Sequence, residues 1–112
     1  MKKQRLCALD ELQDKDARGY AMMSSAGKEV SLIVVRQGKK VHVYLNRCPH
    51  TGVNLEWQPD RFFDLDGAFL QCATHGALFR PEDGYCLRGP CAGDSLQAVS
   101  AGVSDGWVVV EI

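Results

Sequence analysis

Apolar residues run almost unbroken from Val30 to Val35, stop at Gln37, Gly38 and Lys39, and then alternate with His42 and Tyr44 at Val41, Val43 and Leu45. A β-branched run followed by a period of two reads as the two strands of a hairpin, with Gly38 in its turn. Three Asp-Gly pairs punctuate the remainder of the chain, Asp66-Gly67, Asp83-Gly84 and Asp105-Gly106. Each suits the positive φ of a tight hairpin, and the β-like runs AFLQC, ALF and WVVVEI flank them. The pattern predicts a mostly antiparallel, all-β sandwich. One helical candidate, ALDELQDKDARG, has a polar face and an early Gly19, which limits it to a turn or two. No repeat or linker divides the 112 residues, so a single domain over 1–112 is expected.

Charge narrows the function classes only a little. A formal net charge of -1 gives no electrostatic reason to expect nucleic acid or an anionic membrane as partner. The N-terminal MKKQRLC meets Asp10, Glu11, Asp14 and Asp16 before any apolar run of signal-peptide length. Nor does any stretch approach the roughly 20 apolar residues of a membrane span. Five cysteines, Cys7, Cys48, Cys72, Cys86 and Cys91, cannot all pair within one chain. A reducing, cytoplasmic setting is the expectation, and there clustered cysteine and histidine read as a metal or redox site.

Two stretches carry that chemistry. NRCPHTGVNL sets Cys48 and His50 on either side of Pro49, and QCATHGALF sets Cys72 three residues before His75. In each, a glycine follows the histidine within two residues, Gly52 or Gly76, where the backbone can come close to a bound group. Both stretches are expected at strand ends, so two loops at one end of a sandwich would unite the four side chains. Taken singly, His42 and Cys7 read as ordinary packed or surface residues. Four coordinating residues in two matched loops do not. A tetrahedral zinc site would accept two thiolates and two imidazoles. Each loop, however, supplies one of each, which suits a binuclear site where each loop touches both metals, with Pro49 keeping Cys48 and His50 splayed.

CPHTG followed by CATHG resembles the signature of the Rieske 2Fe-2S family, Cys-x-His then Cys-x-x-His. The stretch GPCAGDSL, with Gly89 and Pro90, is similar to that family's Gly-Pro cover loop. The resemblance implies a Rieske-type sandwich with a small cluster-binding subdomain and one 2Fe-2S cluster. It implies that Cys48 and Cys72 bind one iron and His50 and His75 the other. It also implies docking of a redox partner over Pro49, Gly76, Gly89 and Pro90, and a midpoint that falls at high pH as the outer histidine nitrogens titrate.

Departures from the high-potential members of the family are equally informative. Those members carry an extra, disulfide-forming cysteine in each loop, where this chain has Val53 and Thr74. They also have a serine and a tyrosine, hydrogen-bonding cluster sulfur, where this chain has Ala77 and Phe79. Such bonds favour the reduced state, so their loss implies a midpoint at the low end of the range, on the order of -150 mV. Cys86 and Cys91 are expected to be packing residues, and Trp57, Phe62, Phe63 and Trp107 core or loop-packing aromatics.

With no mononuclear iron triad and no nucleotide-binding glycine loop in view, the resemblance implies a non-enzymatic soluble electron carrier. It would pass electrons from a flavin reductase to an oxygenase. A subunit similar to the small subunit of assimilatory nitrite reductase, and a zinc-stabilised interaction module, are the competing readings.

Overall fold

The apolar run of the first hairpin is buried on both faces. In the computed structural model, which describes residues 3–13, 16–47, 69–71, 77–89 and 93–112, Leu32, Ile33, Val34 and Val35 are all fully buried. They belong to β3 (Glu29–Gln37), which pairs antiparallel with β4 (Lys40–Leu45) through a turn at Gly38, φ 62°. A strand covered on only one side would alternate; one covered on both reads as a continuous apolar run.

Among the described residues, three antiparallel sheets account for the two coverings. The central one has the order β2–β3–β4–β8, with β2 Ala17–Met23 and β8 Ala98–Val99. On one of its faces Leu32, Val34 and Val43 pack with Cys7, Val108 and Val110. Those last three come from a sheet ordered β1–β10–β9, in which β1 is Lys3–Ala8, β9 Ala101–Ser104 and β10 Trp107–Glu111. On the other face Ala17, Ile33, Val35 and Tyr44 pack with Leu70, Ala77, Phe79, Cys86 and Leu96. Leu70, Phe79 and Cys86 are contributed by a small sheet ordered β5–β6–β7, with β5 Leu70–Gln71, β6 Leu78–Phe79 and β7 Cys86–Arg88.

The predicted hairpin and the all-β antiparallel class are therefore present, and so is the turn at Asp105-Gly106. Both of its residues have positive φ, 51° and 79°, and Ser104 pairs with Trp107 across it. Asp83-Gly84 differs from the expected tight hairpin. It closes a wider turn in which the Arg80 N–H donates to the Tyr85 carbonyl and the Gly84 N–H to the Arg80 carbonyl, at 2.9 and 2.7 Å. Asp66-Gly67 lies outside the described residues, as do Trp57, Phe62 and Phe63. The helical candidate shrinks to one 3-10 turn, Leu9–Glu11, and its Ala17-Arg18-Gly19 end is strand, Gly19 lying opposite Ile33. Trp107 is not a core residue: it is 37% exposed, with the Arg5 guanidinium 5.1 Å from its ring centroid. Among the described residues no helix is long and apolar enough to cross a membrane.

Candidate metal centre

Cys48, His50, Cys72 and His75, with Pro49, Gly76 and Pro90, lie outside the described residues; Gly89 lies within them. The structure thus shows the roots from which the three stretches spring. The first root is the end of β4. Asn46 is buried, its N–H bonded to the Ser31 carbonyl at 2.9 Å and its amide to the Ser31 hydroxyl at 3.3 Å. The Arg47 N–H then turns back to the Leu45 carbonyl at 2.8 Å, so the chain bends directly before Cys48.

The second root is the hairpin β5–β6, in which Gln71 pairs with Leu78. The segment carrying Cys72 and His75 is therefore closed at its base by an antiparallel pair. The third root adjoins it, because Leu78 also pairs with Arg88 on β7 and Gly89 comes directly after. Gly89 has φ 106°, and a Cβ built on it would stand 2.7 Å from Ala77 Cα. Only glycine fits so close an approach. Gly89, where the third stretch begins, thus touches Ala77, where the second ends.

Ala77 and Phe79 are both buried and apolar. Neither side chain has a donor to offer. Cys86 behaves as a packing residue: it is buried in the core, and its thiol donates to the Arg88 carbonyl at 3.3 Å. Cys91 lies outside the described residues. Cys7 is also a core residue, and burial pushes its thiol pKa up while a hydrogen bond with Tyr20 opposes that shift. His42 is half-buried with Nε2 3.1 Å from Gln37 Oε1, an ordinary satisfied strand residue.

One residue that reasoning from sequence passed over is Tyr44. Its hydroxyl donates a buried 2.7 Å hydrogen bond to the Pro81 carbonyl, in the turn between β6 and β7. Its ring lies against Gly84, where an added Cβ would come within 2.9 Å of Tyr44 Cε1. Burial, and then the Asp83 and Glu82 carboxylates nearby, push its pKa well above that of a free tyrosine, so it stays a donor. The turn it grips is braced on its outer side by Asp83. That carboxylate accepts from the Arg80 guanidinium and the Tyr85 N–H, which hold its pKa below the usual carboxylate range. In the sequence Tyr44 is only an alternating strand residue, on the face opposite Val41, Val43 and Leu45, and no local signal raises it.

Comparison with known proteins gives this frame a family. The sequence model of the Rieske [2Fe-2S] domain matches residues 2–101. In fold, the chain is similar to the ferredoxin of carbazole 1,9a-dioxygenase from Nocardioides aromaticivorans IC177, with TM-score 0.74 and 22% identity over 99% of this chain and 98% of that one. A chain of the complex of reduced oxygenase and oxidized ferredoxin in carbazole 1,9a-dioxygenase gives TM-score 0.74 and 25% identity, over 97% of this chain and 92% of that one. The terminal oxygenase of carbazole 1,9a-dioxygenase from Novosphingobium sp. KA1 gives TM-score 0.72 and 18% identity, over 98% of this chain but 29% of the oxygenase. No curated protein matches the chain in sequence.

Proposed function

Because the chain belongs to the Rieske [2Fe-2S] domain family, we propose that it is a one-electron carrier, receiving electrons from a flavin reductase and delivering them to an oxygenase or similar redox enzyme. The observation that carries this reading is the likeness, end to end, to the carbazole dioxygenase ferredoxin. The family's [2Fe-2S] cluster, one per chain, supplies reversible one-electron chemistry when bound. Cys48 and Cys72 would hold one iron as thiolates, and His50 and His75 the other as imidazoles. Two thiolates and two neutral imidazoles would give the bound cluster two fewer negative charges than four thiolates, and so would make it easier to reduce.

Ala77 and Phe79 add no hydrogen bond to stabilise the reduced state, which supports a low-potential carrier. Pro49, Gly76, Gly89 and Pro90 would form the apolar rim on which the partner docks, close to the two histidines. The same reading places the protein in the cytoplasm, where five cysteines need not pair. It also makes the protein a carrier with no substrate of its own.

Coulometry of the purified protein tests the carrier role together with affinity purification from its own host. Uptake of one electron per chain and recovery of an oxygenase or flavin reductase are expected. Recovery in fixed stoichiometry with a nitrite-reducing catalytic subunit would instead make it an enzyme subunit.

A further inference from the structure

The three stretches that frame the centre do not spring from one sheet. The first leaves the end of β4, in the central sheet, whereas the other two leave the small sheet β5–β6–β7. If Cys48 and Cys72 share one iron and His50 and His75 the other, every iron takes one ligand from each sheet. Metal–ligand distances hold to within about 0.2 Å. The offset between the two sheets must therefore be fixed more finely than ordinary packing demands.

Apolar contact alone does not fix it. Ile33 and Val35 on one side and Leu70 and Phe79 on the other press the layers together. That force is non-directional and proportional to area, so it resists separation better than sliding. The 94–99 segment adds backbone ties, since the Leu96 N–H donates to the Gly84 carbonyl at 2.8 Å and the Leu45 N–H to the Gln97 carbonyl at 2.9 Å. Gln37 Nε2 also reaches Glu82 Oε1 at 3.1 Å, but on the exposed surface. Tyr44 alone among these side chains makes a buried, directional link, to the Pro81 carbonyl. It does so at the root of the first loop, four residues before Cys48, with its ring seated on Gly84.

We propose that Tyr44 is a positioning residue for the metal centre, fixing the spacing between the ligand loops by fastening the turn between β6 and β7 to β4. This rests on the reading that Cys48, His50, Cys72 and His75 are the ligands. Tyr44→Phe removes the hydroxyl and keeps the ring, leaving the Pro81 carbonyl buried without its donor. Val108→Ala, in the core on the opposite face of the central sheet, destabilises the fold without touching the joint.

The test uses the cluster-loaded protein and follows the decay of visible circular dichroism under an iron chelator, with paramagnetic resonance of the reduced protein. Tyr44→Phe is expected to lose its cluster about tenfold faster than wild type, the ratio that 1.4 kcal/mol produces, and to broaden or shift the g-values. Val108→Ala is expected to leave both near wild type after matching for thermal midpoint. Gly84→Ala presses the same joint from the turn side and should reproduce the Tyr44→Phe pattern, which covers the case in which Tyr44→Phe does not fold. Equal decay and identical resonance in the joint variants and Val108→Ala would overturn the positioning role. Wild-type protein carrying no such cluster would overturn the ligand reading, and the role with it.

Discussion

Gly89 and Ala77 meet backbone to backbone, at a separation that leaves no room for a Cβ on Gly89. The contact joins the start of one proposed feature, the cover loop, to the end of another, the second ligand loop, and φ 106° at Gly89 makes any side chain there strained as well. Gly89→Ala is expected to cost about 2 kcal/mol or more and to speed cluster loss. Gly102→Ala is the control, because nothing lies within 4 Å of its added Cβ. It should stay within about 0.5 kcal/mol of wild type. Urea midpoints of the two variants separate these outcomes.

Potential is the second prediction. With Ala77 and Phe79 offering no donor, the midpoint should lie on the order of -150 mV. Ala77→Ser and Phe79→Tyr should each raise it by about 60 mV, the one-electron equivalent of a tenfold change in equilibrium. Protein-film voltammetry at neutral pH reads both, and a wild-type value well above zero would contradict the low-potential assignment.

Alkaline pH should weaken the fold through its tyrosines. Burial, together with the Cys7 thiol bonded to it, pushes the Tyr20 hydroxyl up to about 12, and burial raises Tyr44 further. An unfolded tyrosine ionises near 10. Above that pH the unfolded chain releases protons that the folded chain retains, so the unfolded state gains. The stability from these groups is complete below about pH 10 and declines as pH rises toward about 12. Urea midpoints across that range should fall for wild type and fall less steeply for Tyr20→Phe.

Much of this was legible in the sequence, for identifiable reasons. The run Val30 to Val35 announced β3 because a strand buried on both faces needs no polar positions. Asp105-Gly106 announced its turn because both residues must take positive φ. β1 and β2 were not legible: KQRLCA and ARGYAMM carry charges and Gly19, and they hold strand conformation by pairing at the sheet edges with β10 and β3. The Cys-x-His and Cys-x-x-His spacing put Cys48, His50, Cys72 and His75 forward as ligands, and all four lie outside the described residues. The Tyr44 to Pro81 bond did not, because its partners stand 37 residues apart and one of them is a backbone carbonyl.

The most direct measurement is the metal and sulfide content of the purified protein, taken with paramagnetic resonance after reduction. A [2Fe-2S] centre held by Cys48, His50, Cys72 and His75 predicts two irons and two acid-labile sulfides per chain. It also predicts a rhombic reduced signal that vanishes in Cys48→Ser and His75→Ala. Colourless protein that contains zinc and no labile sulfide would contradict the account at its centre.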